Sequence, residues 1–289
     1  MASELAGLRT EYHRVLCREI LGVKSDKDGR DVCTIADISS HTSREIAKGI
    51  AERIGHPFCK SPKVGQTAGR IYGEQTLVFL QDAFALLTRL RPGEWTFSAS
   101  QAGTGIAAYD QYEHLAVLSQ LTEENPQLAA SLGFEYMITP DIVVGRSPIE
   151  DSEINAAKTV IAEDDSLAGH TPMRKANCKR PILHASVSCK WTIRSDRAQN
   201  TRTEALNLIR NRKGNTPHIV VATFEPLPTR LASIALGTGD VDCTYHSALY
   251  ELYDATKAGG FDDQLEMLDT LINGRRLRDI SDLPFDLAV

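Results

Sequence analysis

The chain has 289 residues, of which 42% are hydrophobic and 24% charged, as is ordinary for a globular protein. No apolar run approaches the roughly 20 residues that cross a membrane, and residues 1–5 lack the basic and then apolar pattern of a secretion signal. The six cysteines form no Cys-x-x-Cys pair and have no regular spacing. We therefore expect a reduced cytoplasmic protein without structural zinc.

Hydrophobic periodicity predicts mainly helices in the first half of the chain. Ile46, Ala47 and Ile50 recur on one face, as they do in an amphipathic helix. The predicted helices cover residues 42–55, 74–90 and 106–131. Arg91-Pro92-Gly93 is expected to end the second helix, and Asn125-Pro126 to interrupt the third.

Strands and helices alternate in the second half. The apolar run at 138–144 predicts a strand over 135–145 that contains Asp141. Residues 182–193 alternate polar and apolar side chains throughout, which predicts a strand with Ser188 and Lys190 on its polar face and Cys189 in the core. Further predictions are helices over 151–164, 195–214 (with Ser195 as N-cap), 246–258 and 262–273, a strand over 218–224, and loops over 165–180 and 225–230. Together they indicate an α/β fold with a central mixed β-sheet flanked by helices, in a single domain over residues 1–289.

Positive charge is concentrated in one stretch of the chain. The net charge is −6, but residues 171–214 contain eleven Lys or Arg and two acids, a charge of +9, so the remainder carries −15. A basic block in an acidic body is typical of a localised binding site for a polyanion. A solvated basic surface would show the same charge pattern.

Asp141, Lys190 and Glu204 are candidate catalytic residues. Cleavage of a phosphodiester requires an activated water and positive charge at the phosphorus oxygens, and Mg²⁺ bound by carboxylates, waters and phosphate supplies much of both. Asp141, Glu204 and the backbone carbonyl of Cys189 could hold this ion, while Lys190 could polarise the water or stabilise the developing charge. Taken singly, each is more often structural: an acid at a strand end, a solvated lysine or a surface glutamate. Jointly, and with the basic block around them, they favour catalysis.

Arg194, Asp196 and Arg197 are candidate readers of DNA bases. In the major groove arginine binds O6 and N7 of guanine, and aspartate accepts from N4 of cytosine. The three residues therefore suit a site made of G·C pairs. A capping aspartate between two arginines that bind phosphates explains the same residues equally well.

Longer motifs around these residues carry a resemblance to a known family. They are Ile-Thr-Pro-Asp-Ile at 138–142, Ser-Cys-Lys-Trp-Thr-Ile-Arg-Ser-Asp-Arg-Ala-Gln-Asn at 188–200, Asn-Arg-Lys-Gly at 211–214 and Asp-Ile-Ser-Asp-Leu-Pro at 279–284. The chain resembles type II restriction endonucleases that cut sites with a CCGG core, which carry the Pro-Asp…Ser-x-Lys…Glu variant of the PD-(D/E)xK nuclease motif. Its similarity to the NgoMIV-type enzymes of this family covers nearly the whole chain. The resemblance implies a restriction-endonuclease-like core and a Mg²⁺ cofactor.

The resemblance also implies catalytic roles. Asp141 would be a magnesium ligand and Lys190 the catalytic lysine. Glu204 would be the second acid, and Ser188 would belong to the site. The family also uses a glutamate on an early helix, where an ungapped match puts Gly73, with Glu74 beside it. One residue rotates a helical side chain by about 100°, so Glu74 is a candidate replacement in a different orientation.

By the same resemblance, the expected partner is double-stranded DNA. Arg194, Asp196 and Arg197 would read a CCGG core, Arg230 and Asp37 the outer pair, and the further contacts would be Ser39 and Gln66. The last four fall in loop-like stretches. The implied site is the palindrome GCCGGC, cut after the first G to leave a four-base 5′ overhang. A palindrome cut on both strands requires at least a dimer, and the resemblance implies a homotetramer in a prokaryotic cytoplasm, within a restriction-modification system.

Two alternative functions remain open from the sequence. One is a structure- or damage-directed nuclease of the PD-(D/E)xK superfamily, which would cut junctions or lesions only. The other is a non-catalytic, sequence-specific DNA-binding protein, which would bind tightly without cleaving. The complete set of Asp141, Lys190 and Glu204 favours an enzyme, a site-specific deoxyribonuclease.

Overall fold

A six-stranded mixed β-sheet flanked by helices forms the centre of the protein in the computed structural model. This architecture confirms the α/β class expected from the sequence. The structure describes residues 3–25, 29, 31–99, 105–132, 138–162, 166–237 and 239–289, with all of their side chains except those of Leu132, Ser195, Asp196 and Arg197. Across these ranges, no helix is long and apolar enough to cross a lipid bilayer.

The elements follow one another with strands and helices interleaved. The first part contains α1 (Glu4–Glu19), β1 (Val23–Ser25), β2 (Asp31–Cys33), α2 (His41–Ile54), α3 (Gly65–Ala85), β3 (Trp95–Ala99), α4 (His114–Glu124), α5 (Pro126–Leu132) and β4 (Ile142–Arg146). The second part contains α6 (Asp151–Ile154), β5 (Ile182–Lys190), α7 (Ser195–Asn211), β6 (His218–Thr223), α8 (Pro228–Ala235), β7 (Cys243–His246), α9 (Leu249–Ala258), α10 (Asp262–Asn273), β8 (Leu277–Asp279) and α11 (Leu283–Asp286). Short 3₁₀ turns cover Ile106–Ala108, Asp110–Tyr112 and Ile280–Asp282.

The central sheet has the strand order β3-β4-β5-β6-β7-β8. The strands from β3 to β5 pair antiparallel, whereas those from β5 to β8 pair in parallel. In register, Ile142 of β4 lies opposite Val187, and Lys190 lies opposite Thr223 of β6. The start of β4 and the end of β6 therefore flank the last residues of β5.

The alternation of polar and apolar residues in β5 gives the two faces that its sequence predicts. The apolar face is buried and consists of Leu183, Ala185, Val187 and Cys189, because successive side chains of a strand point to opposite sides. Ser186 is buried as well, although it belongs to the polar face. The strand ends at Lys190, and residues 191–194 lead away from the sheet into α7.

The prediction for α3 is wrong at both ends, since the helix covers Gly65–Ala85 and not residues 74–90. Gly65, Gly69 and Gly73 obscured its start, because glycine is unfavourable in helices. Gly73 faces the sheet, where an added Cβ would lie in ordinary van der Waals contact with Cβ of Cys189, at 3.8 Å. The helix therefore packs directly against the end of β5.

Two predictions between residues 135 and 164 are also wrong. Asp141 immediately precedes β4 and does not lie within a strand. Pro140 lacks the N–H that a strand ladder needs, and residues 133–137 lie outside the described residues. The helix predicted over 151–164 is reduced to the single turn α6, because the Asn155 side chain bonds the backbone of residues 160 and 161 instead.

The helix predicted over 195–214 ends at residue 211, and its N-cap is Arg194 rather than Ser195. Arg194 is extended, with φ −121° and ψ 162°. The loop predicted over 225–230 ends at Leu227, since Pro228, with its fixed φ, starts α8. The interruption near Asn125 is confirmed, because its side chain accepts from the first N–H groups of α5.

Several elements have no counterpart among the predictions: α1, β1, β2, β3, α8, β7, β8 and α11. The strands among them have at most five residues, as in β3, too few for periodicity to stand out. The helix predicted from residue 246 begins at Leu249, because β7 occupies the preceding residues up to His246. The helices over 42–55 and 262–273 and the strand over 218–224 agree with the structure to within one residue.

A buried ion-pair network ties α1 to the far edge of the sheet. Arg9 donates to Glu251 at 2.7 Å and to Asp279 at 2.8 Å. Asp279 is fully buried and also accepts from the backbone N–H groups of Leu249, at 3.1 Å, and Ser281, at 3.0 Å. The donors around Asp279 compensate for the loss of hydration that burial imposes on a carboxylate.

Candidate active site

Asp141 and Lys190 meet at one end of the central sheet. Nζ of Lys190 donates to Oδ2 of Asp141 at 3.1 Å, and the backbone N–H of Cys189 donates to the same oxygen at 2.7 Å. The lysine side chain is 17% exposed and the aspartate 42%, so solvent reaches the pair. The antiparallel register of β4 and β5 produces this contact, because it sets the start of one strand beside the end of the other.

Glu204 approaches this pair from α7. It lines the same cleft as Asp141 and Lys190. Burial raises the pKa of Glu204, the positive charge of Lys190 lowers it, and the negative charge of Asp141 raises it further. Because its ionisation is disfavoured by burial and by a neighbouring carboxylate, Glu204 would be stabilised in the charged form by a cation bound beside it.

The Ser188 hydroxyl lies on the side of β5 that faces α7. Its Oγ is buried and has no hydrogen-bond partner among the described residues. Ser188 and Glu204 both line a small cavity of about 10 Å³, roughly the space of one water. The hydroxyl is therefore free to bond a water or the glutamate across this cavity.

Glu74 lines the same cleft from α3; we call the cleft that contains Asp141, Lys190 and Glu204 the candidate catalytic cleft. Its carboxylate forms an ion pair with Arg70, one helical turn earlier. The neighbouring Gly73 is buried against Cys189, and the Glu74 side chain remains 38% exposed. The structure thus brings Glu74 to the same cleft as Asp141, but with an arginine as its partner.

The carboxylates of the cleft suit a hard divalent cation. The cleft has a volume of about 650 Å³, and no set of three or more His, Cys, Asp or Glu side chains in the described ranges is arranged as a complete metal site. Mg²⁺ normally takes one or two carboxylates and fills its remaining positions with water and phosphate. Asp141 and Glu204, with the Cys189 carbonyl, fit this partial ligand set.

Arg194 lies in a second cleft, of about 310 Å³, beside the candidate catalytic cleft. The two clefts share Gly65 and Trp191 in their walls. The side chains of Asp196 and Arg197 lie outside the described residues, while their backbone forms the first turn of α7. The structure therefore sets the candidate base-reading segment next to the candidate catalytic residues.

The two candidates for the outer base pair, Arg230 and Asp37, form an ion pair across 193 residues of sequence. Ser39 donates to Asp37 Oδ1 from its hydroxyl at 2.7 Å and from its backbone N–H at 2.9 Å. These bonds, together with the arginine, lower the pKa of Asp37 against the opposing effect of desolvation. The aspartate is therefore ionised and held in one orientation.

Two of these four DNA-contact candidates do not lie in loops. Arg230 belongs to α8, and Gln66 to the first turn of α3, where it lines the candidate catalytic cleft. Asp37 and Ser39 do lie in the turn before α2. The loop expectation is therefore wrong for half of this set, because α8 begins at Pro228 and α3 begins at Gly65, each before the candidate residue.

Three polar residues of this region had no role in the sequence predictions. Arg70 and Asn200 line the candidate catalytic cleft, and Glu225 lies 3.9 Å from the Arg230 guanidinium. Arg70 precedes the predicted start of its helix, so no face could be assigned to it. Asn200 was part of a quoted motif without a role. Nothing in the sequence indicates that Glu225 is buried.

Comparison with known proteins identifies the family of the chain. The family model of the NgoMIV restriction enzyme matches residues 12–289. The type II restriction enzyme NgoMIV of Neisseria gonorrhoeae is 47% identical over 285 residues, which are 98% of this chain and 99% of that enzyme. Among solved structures, the type IIF restriction endonuclease Bse634I with cognate DNA matches over 91% of this chain and 92% of that chain, at 14% identity and a TM-score of 0.35. The chain therefore belongs to the NgoMIV restriction enzyme family and is a type II restriction endonuclease.

Proposed function

We propose that the protein cuts both strands of DNA at GCCGGC in a Mg²⁺-dependent reaction, after the first G, and leaves a four-base 5′ overhang. The observation that carries the proposal is the shared cleft of Asp141, Lys190 and Glu204, beside the cleft that holds Arg194. Membership of the NgoMIV family and the 47% identity over 98% of the chain support the choice of site.

In the proposed mechanism, the candidate catalytic cleft binds the scissile phosphate. Asp141, Glu204 and the Cys189 carbonyl would hold Mg²⁺, which would neutralise phosphate charge and acidify a bound water. Lys190, already within 3.1 Å of Asp141, holds its ammonium where it can bond the attacking water or a phosphate oxygen. Glu74 and Ser188 are supporting members of the site: Glu74 at the cleft wall, and Ser188 beside Glu204.

The proposed recognition uses two groups of residues. Arg194, Asp196 and Arg197 read the CCGG core in the major groove through guanine O6 and N7 and cytosine N4. The outer pair is read by Arg230 and Asp37, with Ser39 and Gln66 as further contacts. The ion pair of Arg230 with Asp37 supports this assignment, because it orients both side chains before DNA arrives.

Double-strand cleavage of a palindrome calls for more than one chain. We propose a symmetric assembly with at least two subunits, and a homotetramer by family resemblance, in which every chain is a single catalytic and DNA-binding domain. The proposed setting is the prokaryotic cytoplasm, within a restriction-modification system. Gel filtration with light scattering, with and without a duplex that carries the site, measures the assembly directly.

Digestion of a sequenced plasmid with Mg²⁺, followed by mapping of the fragment ends, tests the proposed reaction. We expect defined fragments that all begin with 5′-CCGGC, and no cleavage in EDTA. Fragments that end elsewhere would contradict the proposed site. Cleavage confined to synthetic junctions or damaged duplexes would instead support a structure- or damage-directed nuclease.

Replacement of Arg194 by alanine tests base recognition. We expect a loss of about 1–3 kcal/mol of discrimination at one G·C pair, because a bidentate contact to guanine is lost. The measurement is the ratio of cleavage rates on GCCGGC and on duplexes with single core substitutions. Arg18→Ala, which removes an exposed arginine of α1, is the matched control. If Arg194 binds only phosphate, the alanine variant will cleave all duplexes more slowly by the same factor, and the ratios of their cleavage rates will not change.

A further inference from the structure

Glu225 is a buried carboxylate outside both clefts. It lies between the end of β6 and the start of α8, and its side chain is 0% exposed. Burial raises the pKa of Glu225 to about 7, while the N–H groups and the arginine around it favour the ionised form. A carboxylate in such surroundings is costly unless its oxygens are hydrogen-bonded, so the partners of Glu225 indicate what it does.

Two backbone N–H groups from separate segments bind the Glu225 carboxylate. Oε2 accepts from the N–H of Ile193 at 2.7 Å, and Oε1 accepts from the N–H of Leu227 at 3.2 Å. Ile193 directly precedes Arg194, the N-cap of α7, and Leu227 is the N-cap of α8, the helix that carries Arg230. One side chain thus connects the starts of the two helices that bear candidate base-reading residues.

The same carboxylate faces the ion pair assigned to the outer base pair. NH1 of Arg230 lies 3.9 Å from Oε1 of Glu225, while NH2 of the same guanidinium pairs with Asp37. The arginine is therefore held between two acids, one of them fully buried and fixed. The position of Arg230 therefore depends on Glu225 in two ways: Glu225 bonds the backbone at the start of α8, and its negative charge attracts the guanidinium.

The backbone of Glu225 is itself fixed. Its N–H donates to Oγ1 of Thr223 at 3.2 Å, and its carbonyl accepts from Nε2 of His246 at 3.1 Å. Nδ1 of this histidine accepts from the N–H of Ala248, so the ring is the neutral tautomer with a proton on Nε2. Glu225 is thus anchored to β6 and to the end of β7, which are rigid parts of the sheet.

We propose that Glu225 is a positioning residue for DNA recognition, which fixes the segment that begins at Arg194 and the side chain of Arg230 relative to each other. The inference rests on the proposed function and adds to it a residue that touches no base. A six-base site is read correctly only if the residues for its core and its outer pair keep a fixed spacing, and Glu225 bonds the backbone next to both.

Glu225→Gln tests the inference, because it keeps the shape of the side chain and removes one of its two acceptors. A glutamine oxygen can accept from Ile193 or from Leu227 but not from both, and its NH₂ group then faces a backbone N–H. We expect the ratio of cleavage rates between GCCGGC and ACCGGT to fall by roughly 10- to 100-fold, the equivalent of one lost bond to a charged group. The rates are measured in single turnover at pH 8, where Glu225 is ionised.

Asp279→Asn is the matched control. It also alters a fully buried carboxylate with two backbone donors, on the edge strand β8, two strands from β6. Asp279 bonds Arg9, Leu249 and Ser281, and none of these belongs to the segments that begin at Arg194 and at Leu227. We expect Asp279→Asn to lower the melting temperature and to leave the ratio of cleavage rates between GCCGGC and ACCGGT at its wild-type value. An equal loss of discrimination in Asp279→Asn would show that general loosening, and not Glu225, is responsible, and would overturn the inference.

The remaining outcomes separate this inference from the proposed function. Wild-type protein that does not prefer GCCGGC over ACCGGT contradicts the proposed site, and the inference with it. A wild-type preference that Glu225→Gln fully retains overturns the inference alone. Should Glu225→Gln fail to fold, Thr223→Val removes the acceptor of the Glu225 N–H with little change in volume; several-fold lower discrimination is then expected, and an unchanged ratio is decisive against the inference.

Discussion

Lys190→Ala is expected to reduce DNA cleavage by about 100- to 1000-fold or more, while sequence-specific binding is largely retained. The ammonium of Lys190 is the only described lysine group in the cleft that carries Asp141 and Glu204, and it bonds Asp141 at 3.1 Å. Its removal takes away the positive charge that would polarise the water or bond the phosphate oxygens. The candidate base-reading residues lie in the adjacent cleft and on α8, so we expect most of the sequence-specific affinity to come from groups other than Lys190.

The measurement combines single-turnover cleavage with Mg²⁺ and equilibrium binding to the duplex in EDTA. Lys257→Ala, which removes an exposed lysine of α9, should cleave and bind like the wild-type protein. Lys190→Ala protein that still cleaves at near wild-type rate would remove Lys190 from the mechanism. Loss of binding in parallel with cleavage would give this lysine a role in holding DNA.

The segment around Lys190 was predictable because its signals are local. Alternation over residues 182–193 depends only on the two-residue period of a strand, so the sequence alone gave the faces of Ser188, Cys189 and Lys190 correctly. Glu204 follows on a helix whose existence was equally clear. The meeting of Lys190 with Asp141 could not be seen in this way, because it depends on the register between β4 and β5.

The errors arise where local chemistry is ambiguous. Three glycines spaced by four residues lower helix propensity, yet all three belong to α3, and Gly73 lies against Cys189. Pro228 looked like part of a loop, although proline in the first turn of a helix is favourable and here begins α8. As a result, two candidate DNA contacts, Gln66 and Arg230, were expected in loops although they lie in helices.

The burial and the role of Glu225 could not be predicted from the residues around it in the sequence. A single acid before Pro226 resembles an exposed loop residue, and its burial follows from the N–H of Ile193, which is 32 residues away in the sequence. In the folded protein its role follows from its partners, which are two backbone N–H groups and one arginine. Residues of this kind become visible only when the chain is folded, because their role is to hold other residues in place.

Asp141→Asn is expected to abolish both metal binding and cleavage, which distinguishes it from Lys190→Ala. Asparagine keeps an oxygen that can accept the N–H of Cys189, the bond that is 2.7 Å long in the wild-type protein, so the fold should survive. It lacks the negative charge that a divalent cation needs, and Mg²⁺ binds neutral amide oxygens far less well than carboxylates. Cleavage should therefore fall by at least about 1000-fold, as expected when the metal that activates water is lost.

Titration calorimetry with Mn²⁺ on the DNA-bound protein measures metal binding independently of cleavage. We expect binding in the wild-type protein and in Lys190→Ala, and none in Asp141→Asn; Asp254→Asn, which changes an exposed acid of α9, should bind like the wild type. If Asp141→Asn binds Mn²⁺ normally, the ion is held elsewhere and Asp141 serves only to orient Lys190. Asp141 and Lys190 are joined by a hydrogen bond, so replacing either one affects the other. Measuring metal binding separately from cleavage therefore shows which residue binds the ion and which acts in the reaction.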